Sequence, residues 1–329
     1  MARVLAVLFA LAALTGGAWI WEQLDFAAPG PAARIPGRET IVDIRPHEGL
    51  WGIANQLHDS GTVRSAALFA VGVRLRGEGV LLKAGEYAIP SGSSMQDIVD
   101  LLVSGRVVEH KFTAAEGLTS QMITGLVNAD RELAGPPQQA PEEGSLLPET
   151  YLFAKGTARG AILARMHEAQ LRFLAQAWPS RDPVFPLHSP REAVTLASIV
   201  EKETAIPEER RHIAAVFINR LRLGMKLESD PTVIYGLSKG YPLGHGIRAS
   251  ELASVTPYNT YLISGLPPTP ICNPGKDSIS AVLNPDHSGD LYFVADGTGG
   301  HVFAATKAEQ DRNVARWRQI ENTALRLKP

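Results

Sequence analysis

The feature that most restricts the fold is an uncharged apolar run from Val4 to Trp21, VLAVLFALAALTGGAWIW. A bilayer core offers no water to bind backbone groups, so a single segment crosses it only as a helix. The run lies at the lower end of the length that a spanning helix needs and exceeds a typical signal-peptide core. Arg3 precedes the run, and Trp19 falls where interfacial aromatic residues lie. The sequence therefore predicts a single-pass membrane anchor with its N-terminus in the cytoplasm and the rest of the chain exported, which for an inner-membrane protein places that part in the periplasm. A cleaved signal peptide is the alternative and would export the same residues.

After the anchor, assigned to residues 1–25, the chain divides into a linker and two folded parts. Residues 26–39 are rich in Pro, Gly and Ala and lack apolar periodicity, which predicts a spacer. Residues 40–111 predict a small module, and residues 112–329 predict a larger domain that mixes helices with a sheet including Leu291–Ala295. The predicted fold class is therefore α+β.

The small module shows two strand patterns separated by helices. Thr40–Arg45 and Lys83–Ile89 are typical of strands, with two helical stretches between them. Ser94 is a candidate N-cap for a further helix that Gly105 would end. Two strands with helices between them resemble a LysM-like glycan-binding fold. Periodicity alone fits an ordinary α+β spacer domain equally well.

Charge and cysteine content exclude two kinds of site. The formal net charge is −2, so there is no broad basic surface, and nucleic acid is not an expected partner. The single cysteine, Cys272, excludes an intramolecular disulfide and a cysteine-rich zinc site. We expect Cys272 to be a small buried apolar residue.

The segment Arg191–Thr204, REAVTLASIVEKET, predicts a helix with an acid inside its apolar stripe. Ser189 and Pro190 before it are typical of an N-cap and a first helical position. With 3.6 residues per turn, positions i, i+3, i+4 and i+7 share one face. Here those positions are Leu196, Ile199, Val200 and Glu203.

This placement separates Glu203 chemically from Glu201. Glu201 points to roughly the opposite side, and we expect it to be solvated with ordinary acidity. Burial would raise the pKa of Glu203 and let its protonated form donate a proton near neutral pH. The alternative is that Glu203 ends the helix and pairs with Arg210 or Arg220. A second helix opened by Pro207 would hold Glu203 at a rigid corner.

Several segments, in order, resemble one enzyme family. The runs LASIVEKET and VFINRLRLGMKLESDPTVIYGL are preceded by Glu143–Tyr151 and followed by Thr256–Tyr261, Gly265–Pro268, Leu291–Gly297 and Gly300–His301. Together they resemble the YceG-like (MltG) endolytic murein transglycosylase family over nearly the whole chain. In that family the second Glu of Glu-Lys-Glu-Thr is catalytic, and the matching residue here is Glu203.

The resemblance implies a peptidoglycan lytic transglycosylase. Such an enzyme cleaves the β-1,4 bond between N-acetylmuramic acid and N-acetylglucosamine in nascent strands and leaves 1,6-anhydro ends. The nucleophile is the C6 hydroxyl of the muramoyl ring, so Glu203 would serve both proton transfers without a second carboxylate. No metal or organic cofactor is implied. Partnership with peptidoglycan synthases is implied at the level of the family only.

Four further residues are candidates for substrate binding, each with a structural alternative. Asp230 is the best candidate for a second polar group, although Asp-Pro-Thr also suits a helix N-cap. Tyr258 and Asn259 suit a sugar cleft, and loop structure explains them equally well. Glu149 either lines the cleft or caps a turn. His301 is expected to be a hydrogen-bonded core histidine.

Two other functions remain open from the sequence. A non-catalytic peptidoglycan-binding protein would recruit cell-wall synthases through the LysM-like module, but the intact Glu203 counts against it. A muramidase-type hydrolase would use Glu203 together with Asp230 and leave reducing ends.

Overall fold

The computed structural model describes residues 25–33, 35, 37–183 and 186–326. These residues form two compact units, each with its own buried core. The first unit holds the described residues up to His110 together with Leu152–Gly156. The second holds Lys111–Tyr151 and the described chain from Thr157 onward. Helices and strands occur together, which confirms the predicted α+β class.

The first unit is built on an antiparallel strand pair with helices between the strands. Strand β1 (Thr40–Ile44) pairs with β2 (Gly85–Ile89), and Val42 lies opposite Tyr87. Between them in the chain come α1 (Leu50–Asp59) and α2 (Ala66–Leu75), and α3 (Met95–Ser104) follows β2. The order of these elements is the order that the sequence predicts.

Local signals fix both ends of α3. Ser94 Oγ accepts the N–H of Asp97 at 3.1 Å, and the Asp97 carboxylate accepts the N–H of Ser94 at 2.9 Å. This reciprocal pair is a capping box. Gly105, at φ 73°, ends the helix in the left-handed conformation that glycine adopts at little cost. The predicted start and end of α3 are both confirmed.

The predicted spacer at residues 26–39 begins inside the first unit, which corrects that assignment. Phe26 is fully buried, and its ring stacks on Phe69 with centroids 6.2 Å apart. The N–H of Gly30 donates to the carbonyl of Gly92 at 3.0 Å. One large apolar side chain and backbone hydrogen bonds thus hold this end of the segment against the first unit.

The second unit is mainly helical. Its helices are α4 (Ser120–Ala129), α5 (Arg159–Ala177), α6 (Pro190–Glu203), α7 (Arg210–Arg222), α8 (Asp230–Ser238), α9 (Ala249–Leu252), α10 (Lys276–Leu283) and α11 (Lys307–Arg326). Strand β3 (Glu109–Thr113) pairs with β4 (Thr150–Ala154), and the division between the two units falls within both strands. Strand β5 (Tyr292–Ala295) forms an antiparallel hairpin with β6 (His301–Ala304), so the sheet predicted around Leu291–Ala295 is present.

Helix α6 runs through the core of the second unit. Ser189 Oγ accepts the N–H of Glu192 at 3.2 Å, and Pro190 is the first helical residue, as predicted. Every residue from Ala193 to Val200 is buried, so protein encloses the helix on all sides. On the side that the sequence marks as polar, Ser198 Oγ accepts the N–H of Ile271 at 2.9 Å. Cys272 in the same covering segment is fully buried, as expected.

The predicted anchor Val4–Trp21 lies outside the described residues. Within the described part of the chain, none of the helices combines the length and the apolar character needed to span a bilayer.

Candidate active site

Glu203 is the last residue of α6, and the chain turns sharply after it. Thr204 is extended, and a short 3-10 turn that begins at Pro207 leads into α7. Thr204 Oγ1 accepts the N–H of Ile206 at 3.0 Å and donates to Glu209 Oε2 at 3.2 Å. These bonds fix the corner that the sequence predicts.

The Glu203 carboxylate accepts a hydrogen bond from Ser229. Ser229 Oγ donates to Glu203 Oε1 at 2.5 Å, and Ser229 is only 1% exposed. Ser229 occupies the N-cap position of α8, where a serine usually bonds the free N–H groups of the helix. Its side chain makes no capping bond and is directed at Glu203 instead. Sequence reasoning identified this helix start but missed the role of Ser229.

The surroundings of Glu203 raise its pKa to about 7. Burial is the largest cause, and the negative charge of Asp230 adds to it. The hydrogen bond from Ser229 and the charges of His301 and Arg220 act in the opposite direction. Glu203 is nevertheless partly exposed, because it lines an open cleft. The predicted direction of the pKa shift is confirmed.

The cleft beside Glu203 has a volume of about 450 Å³. Its walls come from α7, the segment that leads into α8, β5 and the first turns of α11. The polar and aromatic residues that line it with Glu203 are Arg220, Glu228, Asp230, Tyr261, Tyr292, Phe293, Lys307 and Gln310. Aromatic faces among charged and amide groups suit a polar, partly flat ligand such as a sugar. Among the described residues, no cluster of three or more His, Cys, Asp or Glu side chains could hold a metal ion.

Asp230 lies in this cleft with Glu203. It is the first residue of α8, and Ser229 holds the N-cap position, so the N-cap assignment for Asp230 is wrong. The Tyr261 hydroxyl donates to Asp230 Oδ1 at 2.7 Å. Burial, with Asp230 as a further cause, raises the pKa of Tyr261, which therefore stays a hydrogen-bond donor.

Tyr258 and Asn259 are not among the residues that line this cleft. Tyr258 packs edge-on against Tyr235 with centroids 4.8 Å apart, and its hydroxyl lies 2.9 Å from Thr269 Oγ1. Asn259 is fully buried and donates to the carbonyls of Leu252, at the end of α9, and Ser254, both at 2.8 Å. These contacts favour the loop-structure alternative, and sugar binding by either residue stays a prediction.

The structure also places Glu149 and His301 in bonded pairs. Glu149 pairs with Lys276 at the start of α10 and does not line the cleft. His301 Nδ1 lies 2.7 Å from Glu209 Oε2, and the His301 N–H donates to Glu209 Oε1 at 2.7 Å. His301 is thus hydrogen-bonded and half-buried, in agreement with the expectation for it.

The expectation that the Glu201 carboxylate is solvated is wrong. Its side chain is 7% exposed, and Arg210 lies 4.0 Å from its Oε1 atom. Its Oε2 atom accepts the N–H of Gly275 at 2.9 Å. The reason is that the segment before α10 covers this side of α6, which leaves no solvated face.

The arginine-pairing alternative for Glu203 is not what the structure shows. Arg210 faces Glu201 and Glu116, at 4.0 Å and 3.8 Å. Arg220 pairs with Glu228 at 3.0 Å. In the described part of the chain, neither arginine forms an ion pair with Glu203, whose hydrogen-bond donor is neutral.

Comparison with known proteins decides the family. The model of the YceG-like family matches residues 42–316. The chain belongs to the YceG-like family. This match includes Glu203, Ser229 and most of the cleft.

Relatives and a solved structure agree with this membership. An "Endolytic murein transglycosylase" of Streptococcus pneumoniae serotype 2 (strain D39 / NCTC 7466) is 28% identical over an aligned length of 363 positions, and the alignment covers 95% of this chain and 65% of that protein. The YceG-like chain described here thus spans less than two thirds of that relative. One of Bacillus subtilis (strain 168) is 26% identical over an aligned length of 333 positions, and the alignment covers 91% of this chain and 89% of that one. A crystal structure of a yceG-like protein from Listeria monocytogenes is 30% identical, with a TM-score of 0.52, and covers 83% of this chain and 98% of that chain.

Proposed function

We propose that this protein is an endolytic peptidoglycan lytic transglycosylase in which Glu203 acts first as general acid and then as general base. The observation that carries the proposal is the pKa of about 7 for Glu203, in an open cleft of a YceG-like chain. Relatives from two genera bear the name endolytic murein transglycosylase. At such a pKa both protonation states are populated near neutral pH, so one carboxyl group can give a proton and later take one back.

The proposed reaction cleaves the β-1,4 bond between N-acetylmuramic acid and N-acetylglucosamine in two proton transfers. Glu203 first protonates the glycosidic oxygen, and the bond from that oxygen to C1 of the muramoyl ring breaks. The C6 hydroxyl of the same ring then attacks C1, and its proton returns to the Glu203 carboxylate. The products are a free N-acetylglucosamine end and a 1,6-anhydro-muramoyl end, and no water is consumed. The adjacent negative charge of Asp230 would stabilise the positive charge that develops at C1.

Tyr292 is the residue that we propose as a sugar platform in this cleft. It lies on β5, is half-buried and lines the cleft. The Arg220 guanidinium carbon lies 5.1 Å from the centroid of its ring. Arg220 Nε donates to the carbonyl of Leu291 at 2.6 Å, which ties this guanidinium group to the residue before Tyr292. The side chains of Arg220, Tyr292 and Glu203 all line the same cleft.

A muramidase-type hydrolase is the second candidate, and the position of Asp230 in the same cleft favours it. Two carboxylates that flank the glycosidic bond are the usual catalytic residues of a glycoside hydrolase, one as acid and the other as base or nucleophile. Such an enzyme would consume one water for each bond and leave reducing muramoyl ends. The chemical form of the ends therefore separates the two candidates.

The deciding experiment incubates purified protein with uncrosslinked glycan strands and examines the products by mass spectrometry. We expect 1,6-anhydro ends from the native protein and no cleavage by Glu203→Gln, which keeps size and polarity but cannot donate a proton. Reducing ends would support the hydrolase. No cleavage by native protein that still binds the strands would support a non-catalytic peptidoglycan-binding protein.

We propose further that Val4–Trp21 anchors the protein in the inner membrane with the second unit in the periplasm. The first unit would be a LysM-like glycan-binding module, which the antiparallel pairing of β1 with β2 around two helices supports. Resistance to carbonate extraction and protease access from the periplasmic side test the anchor. Retention of Glu203→Gln protein on purified peptidoglycan, lost on deletion of residues 26–108, tests the module. This deletion removes Phe26 with the rest of that core and leaves β3 whole. Partnership with peptidoglycan synthases stays a prediction from the family.

A further inference from the structure

Ser229 is held in place by a set of buried hydroxyl groups. Its N–H donates to Thr260 Oγ1 at 2.9 Å, and its carbonyl accepts from Thr232 Oγ1 at 2.6 Å. The two threonine hydroxyls lie 2.8 Å from each other, and both residues are fully buried. The backbone of Ser229 is therefore fixed from two sides, by the first turn of α8 and by the segment that contains Thr260.

The side chain of Ser229 is free to serve Glu203 alone. Its Oγ atom donates to Glu203 Oε1, and it makes no bond to the start of α8. A serine that holds the N-cap position without capping the helix departs from the usual local preference, and such departures concentrate at functional sites. With Oε1 occupied by Ser229, Oε2 is the oxygen of Glu203 that remains for a ligand in the cleft.

We propose that Ser229 is a positioning residue that holds Glu203 Oε1, so that Oε2 carries the transferable proton toward the glycosidic oxygen. This inference rests on the proposed transglycosylase function and deepens it. In the first step the hydroxyl keeps the carboxyl group from rotating, and after proton transfer it stabilises the carboxylate that must accept the C6 hydroxyl proton. Ser229 itself neither gains nor loses a proton.

The charges around Glu203 come from several elements and must stay unchanged in a test of Ser229. Asp230 approaches from α8, Arg220 from α7 and His301 from β6. Tyr261, also in the cleft, binds Asp230 and not Glu203. Removing the Ser229 hydroxyl alters none of these groups. A change in the titration of Glu203 in that variant therefore reports the lost hydrogen bond.

The test compares Ser229→Ala with Ser229→Thr, which restores the hydroxyl, and with Ser238→Ala as a matched control. Ser238 ends the same helix, and its Oγ bonds only local carbonyls, at 2.9 Å and 2.5 Å. Two readouts are taken: kcat and KM on uncrosslinked glycan strands, and the Glu203 carboxyl titration by carbon-13 NMR without substrate. The NMR titration does not depend on the protein being an enzyme.

For Ser229→Ala we expect kcat to fall by roughly 10- to 100-fold with little change in KM, as for the loss of one hydrogen bond to a charged group. The pKa of Glu203 should rise, because the hydrogen bond that favours its ionised form is gone. Ser229→Thr should recover both properties in part, and Ser238→Ala should change neither. An unchanged kcat, or an unchanged Glu203 titration, in Ser229→Ala would overturn the proposal. If the native protein cleaves no glycan, the proposed function fails and the catalytic part of this inference fails with it, whereas the NMR titration still shows whether Ser229 binds Glu203.

Discussion

Glu201 accepts the backbone N–H of Gly275 at 2.9 Å, which ties the last turn of α6 to the start of α10. Glu203, on the same turn, instead accepts a side-chain hydroxyl and faces a cleft. Two glutamates in the run Glu-Lys-Glu thus have different surroundings, because different segments cover the two sides of the helix. Glu201 stabilises the fold, and Glu203 is available to react with a ligand in the cleft.

Glu201→Ala should lower stability and leave the acid chemistry intact. It removes a buried acceptor for Gly275 and an anionic neighbour of Arg210. Losing a hydrogen bond to a charged group, and leaving its donor buried without a partner, lowers the free energy of unfolding by roughly 1–3 kcal/mol. Urea unfolding measures the stability, and the pH dependence of cleavage should keep its midpoint. A shifted midpoint would mean that Glu201 acts on Glu203.

Glu203→Gln should be more stable than the native protein at pH 8 and not at pH 4. The folded-state pKa of Glu203 is raised to about 7 from 4.5, so its ionisation costs stability as pH rises between those values. Above that window the native protein has lost on the order of 3 kcal/mol that the glutamine variant keeps. Urea unfolding of both proteins at the two pH values tests this. Equal stability of the two proteins at pH 8 would show that ionisation of Glu203 does not destabilise the folded state.

The rate of cleavage should fall as pH rises through about 7, because the first step needs the protonated form of Glu203. Asp230→Asn removes the negative charge that helps to raise the pKa of Glu203. We therefore expect this fall to move to lower pH in Asp230→Asn, with anhydro ends still formed. Complete loss of cleavage in Asp230→Asn would instead point to a hydrolase that needs both carboxylates.

Gly144→Ala should destabilise the second unit by roughly 2–4 kcal/mol, from left-handed backbone strain and overpacking together. Gly144 has φ +77°, and an added Cβ would lie 2.5 Å from the Pro270 ring and 3.0 Å from Val194. Gly135→Ala is the matched control, since Gly135 has φ +85° with nothing within 4 Å. Thermal unfolding should separate the two variants. Equal losses would leave the backbone strain as the whole effect.

Periodicity predicted the part of the site that depends on one helix. The stripe from Leu196 to Glu203 predicted the inward position of Glu203, Pro190 predicted the start of α6, and Pro207 predicted the turn that leads into α7. Periodicity says nothing of what covers the other side of a helix. The burial of Glu201 under the segment at Gly275 therefore could not be anticipated, because it depends on residues far along the chain.

The walls of the cleft show the same limit more strongly. Tyr292 and Lys307 join Glu203 only because the β5 strand packs against α7 and α11 packs on the β5–β6 hairpin. Side-chain type alone made Tyr258 and Asn259 candidates for the sugar cleft and did not single out Tyr292. The family pattern marked the segment that contains Tyr258, Asn259 and Tyr261, but only Tyr261 lines the cleft. A motif identifies a segment, and the tertiary fold decides which of its side chains meets the ligand.

The most direct test of the account is the fate of solvent oxygen during cleavage of uncrosslinked glycan strands in water enriched in oxygen-18. An intramolecular attack by the C6 hydroxyl uses no water, so the native protein should yield muramoyl ends without oxygen-18. Glu203→Gln should cleave no strands and therefore yield no new muramoyl ends. Muramoyl ends that carry one oxygen-18 atom would contradict the transglycosylase mechanism. Unlabelled anhydro ends formed equally by Glu203→Gln would contradict the role of Glu203.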